Sequence, residues 1–211
     1  MKGPRAIPVA KEGWPFIFPP AAAACILAVM GWWAAASVAF ALALVFLGFF
    51  RDPERRPPDV PRAVLAPADG KVMEVAPAHD AWVGSATRLS IFLSPLDVHV
   101  NRAPVAGSVA GVEHQAGKFL AAYKPEASDV NERCTVTLAG PARVAVRQIA
   151  GVLARRIVCR LRRGDTVERG ERYGLIRFGS RTDLFVPDAS LVRVKVGDRV
   201  RGGETIMALL P

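Results

Sequence analysis

The sequence predicts a mainly β domain that follows an α-helical, apolar N-terminal segment. Beyond residue 62, short runs of alternating or β-branched residues recur between turn signals, and none keeps a helical period for more than about two turns. In contrast, the stretch from Gly13 to Phe50 contains no Asp, Glu, Lys or Arg. We therefore expect a β sandwich or barrel rather than a fold of alternating strands and helices.

Composition also predicts the domain boundaries. Residues 1–50 form a membrane-associated segment, residues 51–62 a linker, and residues 63–211 a β-rich domain. The linker sequence RDPERRPPDVP carries four prolines and alternating charge, which is typical of an extended chain. Nine strands are predicted in the third region: Lys71–Val75, Leu89–Leu93, Ser108–Val112, Cys134–Leu138, Arg143–Ile149, Arg156–Arg160, Tyr173–Phe178, Leu184–Val186 and Leu191–Val194.

The apolar segment is long enough to enter a membrane. Pro15, Pro19 and Pro20 make its start a poor helix interior, so we expect the helix to begin near Ala21. The 30 residues from Ala21 to Phe50 would form about 45 Å of helix, against about 30 Å of bilayer hydrocarbon. One tilted span fits this length. Two shorter helices broken around Gly31–Trp33, forming a hairpin, fit it as well.

The charges that flank the apolar segment favour the hairpin. Basic residues lie on both sides of it: Lys2, Arg5 and Lys11 before, and Arg51, Arg55, Arg56 and Arg62 after. Positively charged flanks stay on the cytoplasmic side, which places both ends of the segment there. A buried core helix is shorter than this stretch. A cleaved signal peptide fits badly, because the apolar run continues to Phe50.

Net charge and cysteine content limit the partners. The chain has 28 basic and 19 acidic residues, a net charge of +9, which favours an anionic partner or substrate. The basic residues are dispersed and few aromatics lie among them, so we expect no nucleic-acid binding. Three scattered cysteines predict free thiols in a reducing compartment, and no spacing of ligand residues predicts a metal site.

One internal repeat is visible in the second half of the chain. Gly164–Glu171 resembles Gly197–Glu204, 33 residues later, and each copy has a Gly-Asp turn, one inward valine and a second glycine. This pattern is typical of the barrel-sandwich hairpins of lipoyl and biotinyl carrier domains. It predicts two similar hairpins about a pseudo-symmetric axis. Lys195 lies within a strand-like run rather than at a hairpin tip, which disfavours a carrier role. A membrane-anchored, lipoyl-like adaptor remains the alternative to an enzyme.

Few residues are candidates for chemistry. Asp97, His99 and Asn101 alternate and would project from one face of a strand, where a structural cluster and a functional site are both open interpretations. His114 ends a predicted strand, a position at which histidine is more often structural. Asp69 occupies an Asp-Gly turn, where aspartate is favoured for backbone reasons alone.

The pair Gly179-Ser180 suggests a different chemistry. It lies between two β-like runs and is followed directly by Arg181, Thr182 and Asp183. A glycine before the serine permits a strained turn and leaves its own carbonyl unshielded by a side chain. A serine hydroxyl in this place can attack the preceding carbonyl, provided that a base takes its proton and a donor stabilises the oxyanion.

Five motifs, in order along the chain, resemble those of the short-form phosphatidylserine decarboxylases. They are Ala66–Val72, Phe92–Gly107, Gly117–Phe119, Asn131–Arg133 and Phe178–Arg181. The resemblance implies a self-processing proenzyme, in which Ser180 attacks the Gly179 carbonyl and the chain is cut at this bond. The products would be a β chain of residues 1–179 and an α chain of residues 180–211. The two chains stay together as a heterodimer, and residue 180 becomes a pyruvoyl group.

The resemblance also implies the substrate and the cofactor. The covalent pyruvoyl group would form a Schiff base with the amine of phosphatidylserine and accept electrons as carbon dioxide leaves, giving phosphatidylethanolamine. A lipid substrate fits an enzyme anchored in the cell membrane, with its catalytic domain on the cytoplasmic side. The surplus of basic residues suits membrane lipid with anionic head groups.

Residue roles are implied where the motifs match. Asp69 corresponds to the aspartate that orients the base during processing, and His99 to the first histidine of the long-form D-Y-H-x-x-H motif, which is assigned to decarboxylation. Arg102 replaces the second histidine, so the base for Ser180 stays open between His99 and His114. Three basic residues are candidate contacts for the substrate phosphate: Arg102, Lys118 and Arg181.

Overall fold

The computed structural model describes residues 8–124, 126–152, 156–177 and 180–211. The chain divides into two compact units, Met1–Glu54 and Arg55–Pro211. The division falls within the stretch predicted as a linker, and each unit is described by itself below.

The first unit is a helical hairpin. A 3-10 turn at Lys11–Gly13 leads into α1 (Trp14–Val29), and α2 (Trp33–Phe49) follows after a break. Gly31 in this break has a φ of +78°, which glycine adopts without steric cost. The structure therefore has the two-helix form of the two alternatives. By length and composition, the helical stretch Lys11–Val29 could cross a membrane, and α2 is a shorter apolar helix.

The expectation that the helix begins near Ala21 is wrong, because α1 begins at Trp14 and runs through Pro19 and Pro20. A proline in the first turn, such as Pro15, costs no hydrogen bond, since the N–H groups there have no partner within the helix. The two later prolines each remove one donor. Phe16 lies in the first turn of α1, before these two prolines. Its ring packs against the rings of Phe46 and Phe50 at the end of the hairpin.

The second unit is built mainly of β-strands. In its described part it has a four-residue helix, α3 (Ala127–Val130), and fourteen strands. The strands are β1 (Ala63–Leu65), β2 (Gly70–Asp80), β3 (Gly84–Leu93), β4 (Val100–Arg102), β5 (Gly107–Gln115), β6 (Arg133–Ala139), β7 (Arg143–Ile149), β8 (Ile157–Cys159), β9 (Thr166–Val167), β10 (Arg172–Ile176), β11 (Ser180–Pro187), β12 (Leu191–Val192), β13 (Arg199–Val200) and β14 (Ile206–Leu209). Every predicted strand overlaps an observed one, and the predicted mainly β class is confirmed.

The strands form three antiparallel sheets. The largest has the order β13-β2-β3-β11-β7-β6-β5-β9 and is curled into a half-barrel. Two three-stranded sheets have the orders β1-β14-β12 and β4-β10-β8. Strand β11 lies at the centre of the largest sheet, paired with β3 along one edge and β7 along the other. Its position fixes where Ser180 lies.

The two copies of the Gly-Asp repeat have matching backbones. The φ angles of Gly164 and Gly170 are +93° and +80°, and those of Gly197 and Gly203 are +98° and +78°. The strands that follow the Gly-Asp turns, β9 and β13, lie at opposite edges of the eight-stranded sheet. Each carries one valine of the buried core. The predicted pair of barrel-sandwich hairpins is confirmed.

A second repeat was missed in the sequence. Ala66–Val72 (APADGKV) and Ala103–Val109 (APVAGSV) each lead into a strand beside one Gly-Asp hairpin. The glycine of each copy, Gly70 or Gly107, lies so close to a neighbouring carbonyl that a Cβ would overlap it. Asp69 in the first copy corresponds to alanine in the second. The turn therefore forms without an aspartate. This indicates that Asp69 has a role beyond stabilising the backbone conformation of the turn.

Candidate active site

Ser180 is the first residue of the central strand β11 and is fully buried. Its Oγ has no hydrogen-bond partner among the described residues. Because side chains alternate along a strand, Ser180 and Thr182 share the face of Leu184 and Val186, which belong to the main core. We call this the inner face of β11. Gly179, the predicted site of attack, lies outside the described residues.

Three further polar side chains surround this end of the inner face. Thr182 pairs with Gln148 of β7, and Gln148 Nε2 donates to Asn101 Oδ1 of β4 at 2.7 Å. All are fully buried. We call Ser180, Thr182, Gln148 and Asn101 the inner cluster. Within the described part of the chain, each of them has a buried polar atom without a partner: Ser180 Oγ, Thr182 Oγ1, Asn101 Nδ2 and Gln148 Oε1.

The prediction that Asp97, His99 and Asn101 share one strand face is wrong. Strand β4 begins only at Val100, because residues 94–97 form a turn closed by a 2.9 Å bond from Asp97 N to Ser94 O. Proline at the second position, as here, favours this turn. The Asp97 carboxylate folds back to accept hydrogen bonds from Ser94 N and Oγ.

His99 is fully buried and is held by backbone on both sides. Its carbonyl accepts a 3.3 Å bond from Ile176 N, four residues before Ser180. Its Nδ1 lies 2.9 Å from the Asp97 carbonyl oxygen. Since a carbonyl only accepts, Nδ1 carries the proton of the neutral ring, and Nε2 carries the lone pair. Nε2 is thus the ring atom that can act as a base.

Asp69 is engaged by groups other than histidine. Its Oδ1 accepts a 2.7 Å bond from Gly202 N, and its Oδ2 forms a 2.8 Å ion pair with Arg55, which also pairs with Glu204. Burial raises the pKa of the Asp69 carboxyl, and the Gly202 bond and the Arg55 charge oppose this shift. Its role in orienting a base stays a prediction.

His114 lies far from Ser180 along the sheet. Its Nε2 is 3.0 Å from Glu132 Oε1, and 53% of its side chain is exposed. It is on β5, and the strands β6 and β7 separate it from β11. Three strand spacings amount to about 14 Å measured along the sheet. The structure therefore does not bring His114 next to the serine.

The opposite, outer face of β11 carries a buried charge network. Arg181 Nε donates to Asp183 Oδ1 at 2.6 Å, and Arg181 Nη2 donates to Ser90 Oγ at 2.7 Å and to Glu74 Oε2 at 3.2 Å. Ser128 Oγ of α3 donates to Asp183 Oδ2 at 2.8 Å. We call these five residues the outer network.

The three candidate phosphate contacts lie in different surroundings. Arg181 is 2% exposed and its charge is already neutralised in the outer network, which argues against a phosphate contact. Arg102 is also buried, and its Nη1 donates to the Gly170 carbonyl at 3.2 Å. Lys118 is exposed, in a loop that bridges to Asn131. Only Lys118 of the three is placed to meet a ligand from solvent.

Two of the cysteines are neighbours, which the sequence did not indicate. Cys134 and Cys159 are free thiols that hydrogen-bond to each other. This bond and burial raise the pKa of the Cys134 thiol, and the bond lowers the pKa of Cys159. In the part of the chain that the structure describes, no group of three His, Cys, Asp or Glu residues could hold a metal ion.

Sequence reasoning also missed Gln148 and did not foresee its bond to Asn101. A signal was present, because β7 alternates apolar residues on its inner face and Gln148 interrupts them after Val144 and Val146. Thr182 interrupts the inner face of β11 in the same way. Polar residues at core positions of two paired strands indicate a buried site.

Comparison with known families matches most of the chain to one of them. The family model for phosphatidylserine decarboxylase matches residues 42–208. The chain belongs to the phosphatidylserine decarboxylase family.

Curated relatives match almost the whole chain. It is similar to the phosphatidylserine decarboxylase proenzyme of Symbiobacterium thermophilum, with 48% identity over 207 residues that cover 96% of each chain. The proenzyme of Geobacter sulfurreducens is 42% identical over 212 residues, 97% of each chain. That of Desulfotalea psychrophila is 45% identical over 207 residues, 95% of this chain and 96% of the relative. These relatives favour the enzyme over the membrane-adaptor alternative.

Proposed function

We propose that this protein is a proenzyme that cuts itself between residues 179 and 180 and then decarboxylates phosphatidylserine. The observation that carries the proposal is the Ser180 hydroxyl, which is fully buried at the start of the central strand without a partner among the described residues. A buried hydroxyl without a partner costs stability, and at the start of the central strand, directly after a glycine, this hydroxyl can act as the nucleophile that the proposal needs.

Self-cleavage first exchanges a peptide bond for an ester. A bond forms between Ser180 Oγ and the carbonyl carbon of residue 179 while the peptide C–N bond breaks. Loss of the Cα proton and cleavage of the Cβ–O bond then release residue 179 as a carboxylate. Water replaces the nitrogen of residue 180, which leaves as ammonia, and the new chain begins with a pyruvoyl group.

His99 is the base that we propose for the first step. Its Nδ1 proton points to the Asp97 carbonyl, so Nε2 is the ring atom that can take the proton of the serine. His114 does not offer this, since two strands separate it from β11 and it hydrogen-bonds to Glu132 at the surface. The same His99 side chain serves as proton donor in decarboxylation.

The surroundings of residue 180 fit a pyruvoyl group. The group supplies an electrophilic carbonyl for the substrate amine and a sink for the electron pair left by carbon dioxide. The protein contributes the fully buried side chains of Thr182, Gln148 and Asn101, whose unpartnered groups can bind polar atoms. Burial also excludes bulk water from the reacting atoms.

The two chains stay associated after the cut. The α chain, residues 180–211, contains β11, β12, β13 and β14. Strand β11 pairs with β3 and β7 along both of its edges, and β13 and β14 pair with β2 and β1. All of these partner strands belong to the β chain. The heterodimer is therefore held by a continuous sheet and by the shared core.

The helical hairpin anchors the protein in the cell membrane. Large apolar side chains are exposed along both helices, which suits lipid contact: Phe18, Ile26, Val29, Trp33, Val38, Phe40, Leu42, Leu44, Val45 and Leu47. The basic residues on both flanks of the hairpin favour the cytoplasmic side for the catalytic unit. Anionic phosphatidylserine would be attracted by the surplus positive charge.

The proposal is tested with a Ser180→Ala variant. We expect one full-length band on a denaturing gel and no decarboxylase activity, because the nucleophile is gone. The matched control is Ser190→Ala, since Ser190 Oγ is also buried without a partner in the described structure but lies in the turn beyond β11. This control should be cut like the native protein. A cut Ser180→Ala chain would refute Ser180 as the nucleophile.

A further inference from the structure

A pair of buried amides joins two sheets beside residue 180. Gln148 belongs to the eight-stranded sheet and Asn101 to the sheet of β4, β10 and β8. Gln148 Nε2 donates to Asn101 Oδ1 at 2.7 Å, and both side chains are fully buried. We call these two residues the amide pair.

The amide pair has polar atoms left over. One hydrogen bond uses one donor and one acceptor, and among the described residues Asn101 Nδ2 and Gln148 Oε1 have no partner. Exchanging O and N in both amides would again leave one donor group and one acceptor. Two apolar side chains of the same shape would link the sheets without this cost. Linking the sheets therefore does not explain the choice of amides.

The strand register places the amide pair next to the reacting residue. Gln148 lies directly opposite Thr182, and Ser180 is two residues earlier on the same face, so Ser180 is a diagonal neighbour of Gln148 at roughly 7–8 Å. Gly174 lies opposite Asn101 and has no side chain, which leaves room for Gln148 to reach Asn101. A Cβ at Gly174 would lie 3.0 Å from Gln148 Nε2.

We propose that the amide pair is the subsite for the amino-acid end of the substrate head group, an inference that rests on the proposed function. That end carries a carboxylate, which accepts hydrogen bonds, and an amine, which donates them. The pair offers one donor group and one acceptor, which match these two groups.

The neutral charge of the amide pair suits the reaction. Electrons must leave the carboxylate as carbon dioxide forms, and a cation at this point would hold them there. A neutral amide N–H orients the carboxylate with less resistance to this loss. The product head group has no carboxylate, so it loses one contact and is released.

The experiment compares native protein with an Asn101→Leu/Gln148→Met double variant, each purified in detergent in its cut form. Two lipids that lack the amine and cannot react serve as probes, phosphatidyl-3-hydroxypropionate with a carboxylate and phosphatidylpropanol without one. Binding of each is measured by titration calorimetry. We expect native protein to prefer the carboxylate probe by about tenfold, the equivalent of one hydrogen bond, and the double variant to lose this preference.

Further variants test whether the amide pair itself recognises the carboxylate. Gln115→Met, a matched change at an exposed position of β5, should keep the preference. If the double variant is not cut, the near-isosteric single variants Asn101→Asp and Gln148→Glu replace it, and each should lose the preference. Asn101→Asp replaces the free donor Nδ2 with an acceptor. Gln148→Glu removes the donor to Asn101 Oδ1, so the Asn101 amide turns its N–H groups toward the new carboxylate and leaves no donor for the substrate. Variants that are cut and keep the preference would overturn the subsite. A native chain that is never cut would overturn the proposed function instead.

Discussion

The two faces of β11 differ in whether their buried polar groups have hydrogen-bond partners. On the outer face, Arg181 and Asp183 are fully enclosed and paired with each other and with neighbouring side chains. On the inner face, Ser180 and Thr182 are equally buried, yet neither hydroxyl has a partner in the described parts of the chain. Burial without a partner is costly, whereas a fully bonded network is tolerated. The outer face therefore holds the strand, and the inner face has the unpartnered groups that the proposed chemistry needs.

This difference between the two faces suits a chain that is cut at the start of β11. After the cut, residue 180 would be a chain terminus, and termini fray unless they are tied down. Arg181, the next residue, is bound to groups on β2, β3 and β11 itself. The outer network would thereby fix the position of the new terminus on the inner side.

The largest effect that the comparison predicts is the loss of chemistry without loss of fold. His99→Ala should abolish decarboxylation and slow or stop the cut, because it removes the proposed base and proton donor while leaving the outer network intact. The extent of cutting is read on a denaturing gel, and activity from the conversion of phosphatidylserine. His114→Ala is the matched control and should be cut and active. Normal conversion by His99→Ala would show that the role of His99 is wrong.

The second largest predicted effect is a loss of stability when the outer network is broken. Arg181→Met leaves the Asp183 carboxylate buried without its cation, and breaking a buried pair in this way costs about 3–5 kcal/mol. We expect a loss of this size in the free energy of unfolding. It is measured by denaturant titration of the full chain in the uncut Ser180→Ala background.

A partly exposed pair supplies the control for this measurement. Arg88 also pairs with Glu74, at 2.8 Å, but its side chain is 26% exposed. Arg88→Met should cost less than about 1 kcal/mol, since exposed ion pairs contribute little. Equal losses for the two variants would show that the outer network has no special role in holding β11.

Most of the fold could be predicted from local patterns. Long strands such as β7 and β3 alternate or are rich in β-branched residues, and their apolar periods are visible in the sequence. The strands β9 and β13 have two residues each, too few to show any period, and they form because a Gly-Asp turn presents them to a sheet edge. The sequence repeat located these hairpins although it could not show their pairing.

The candidate site could be predicted only in part, for a physical reason. The sequence suggested Ser180 because it follows a glycine between two strands, and His99 because it lies in a motif that resembles one of the family. The bond between Asn101 and Gln148 joins residues 47 positions apart on different sheets. Such a pair depends on how the sheets pack, which local periodicity does not reveal. The alternation of Asp97, His99 and Asn101 suggested a strand, but the turn around Pro95 prevails there.

The mass of the intact protein, purified from its host, tests the central claim most directly. We expect two polypeptides, one of residues 1–179 with an ordinary carboxylate end and one of residues 180–211 that is lighter than its sequence by one ammonia. The second should resist N-terminal sequencing, because a pyruvoyl group has no amine. A single mass for the unbroken chain of 211 residues would contradict the account.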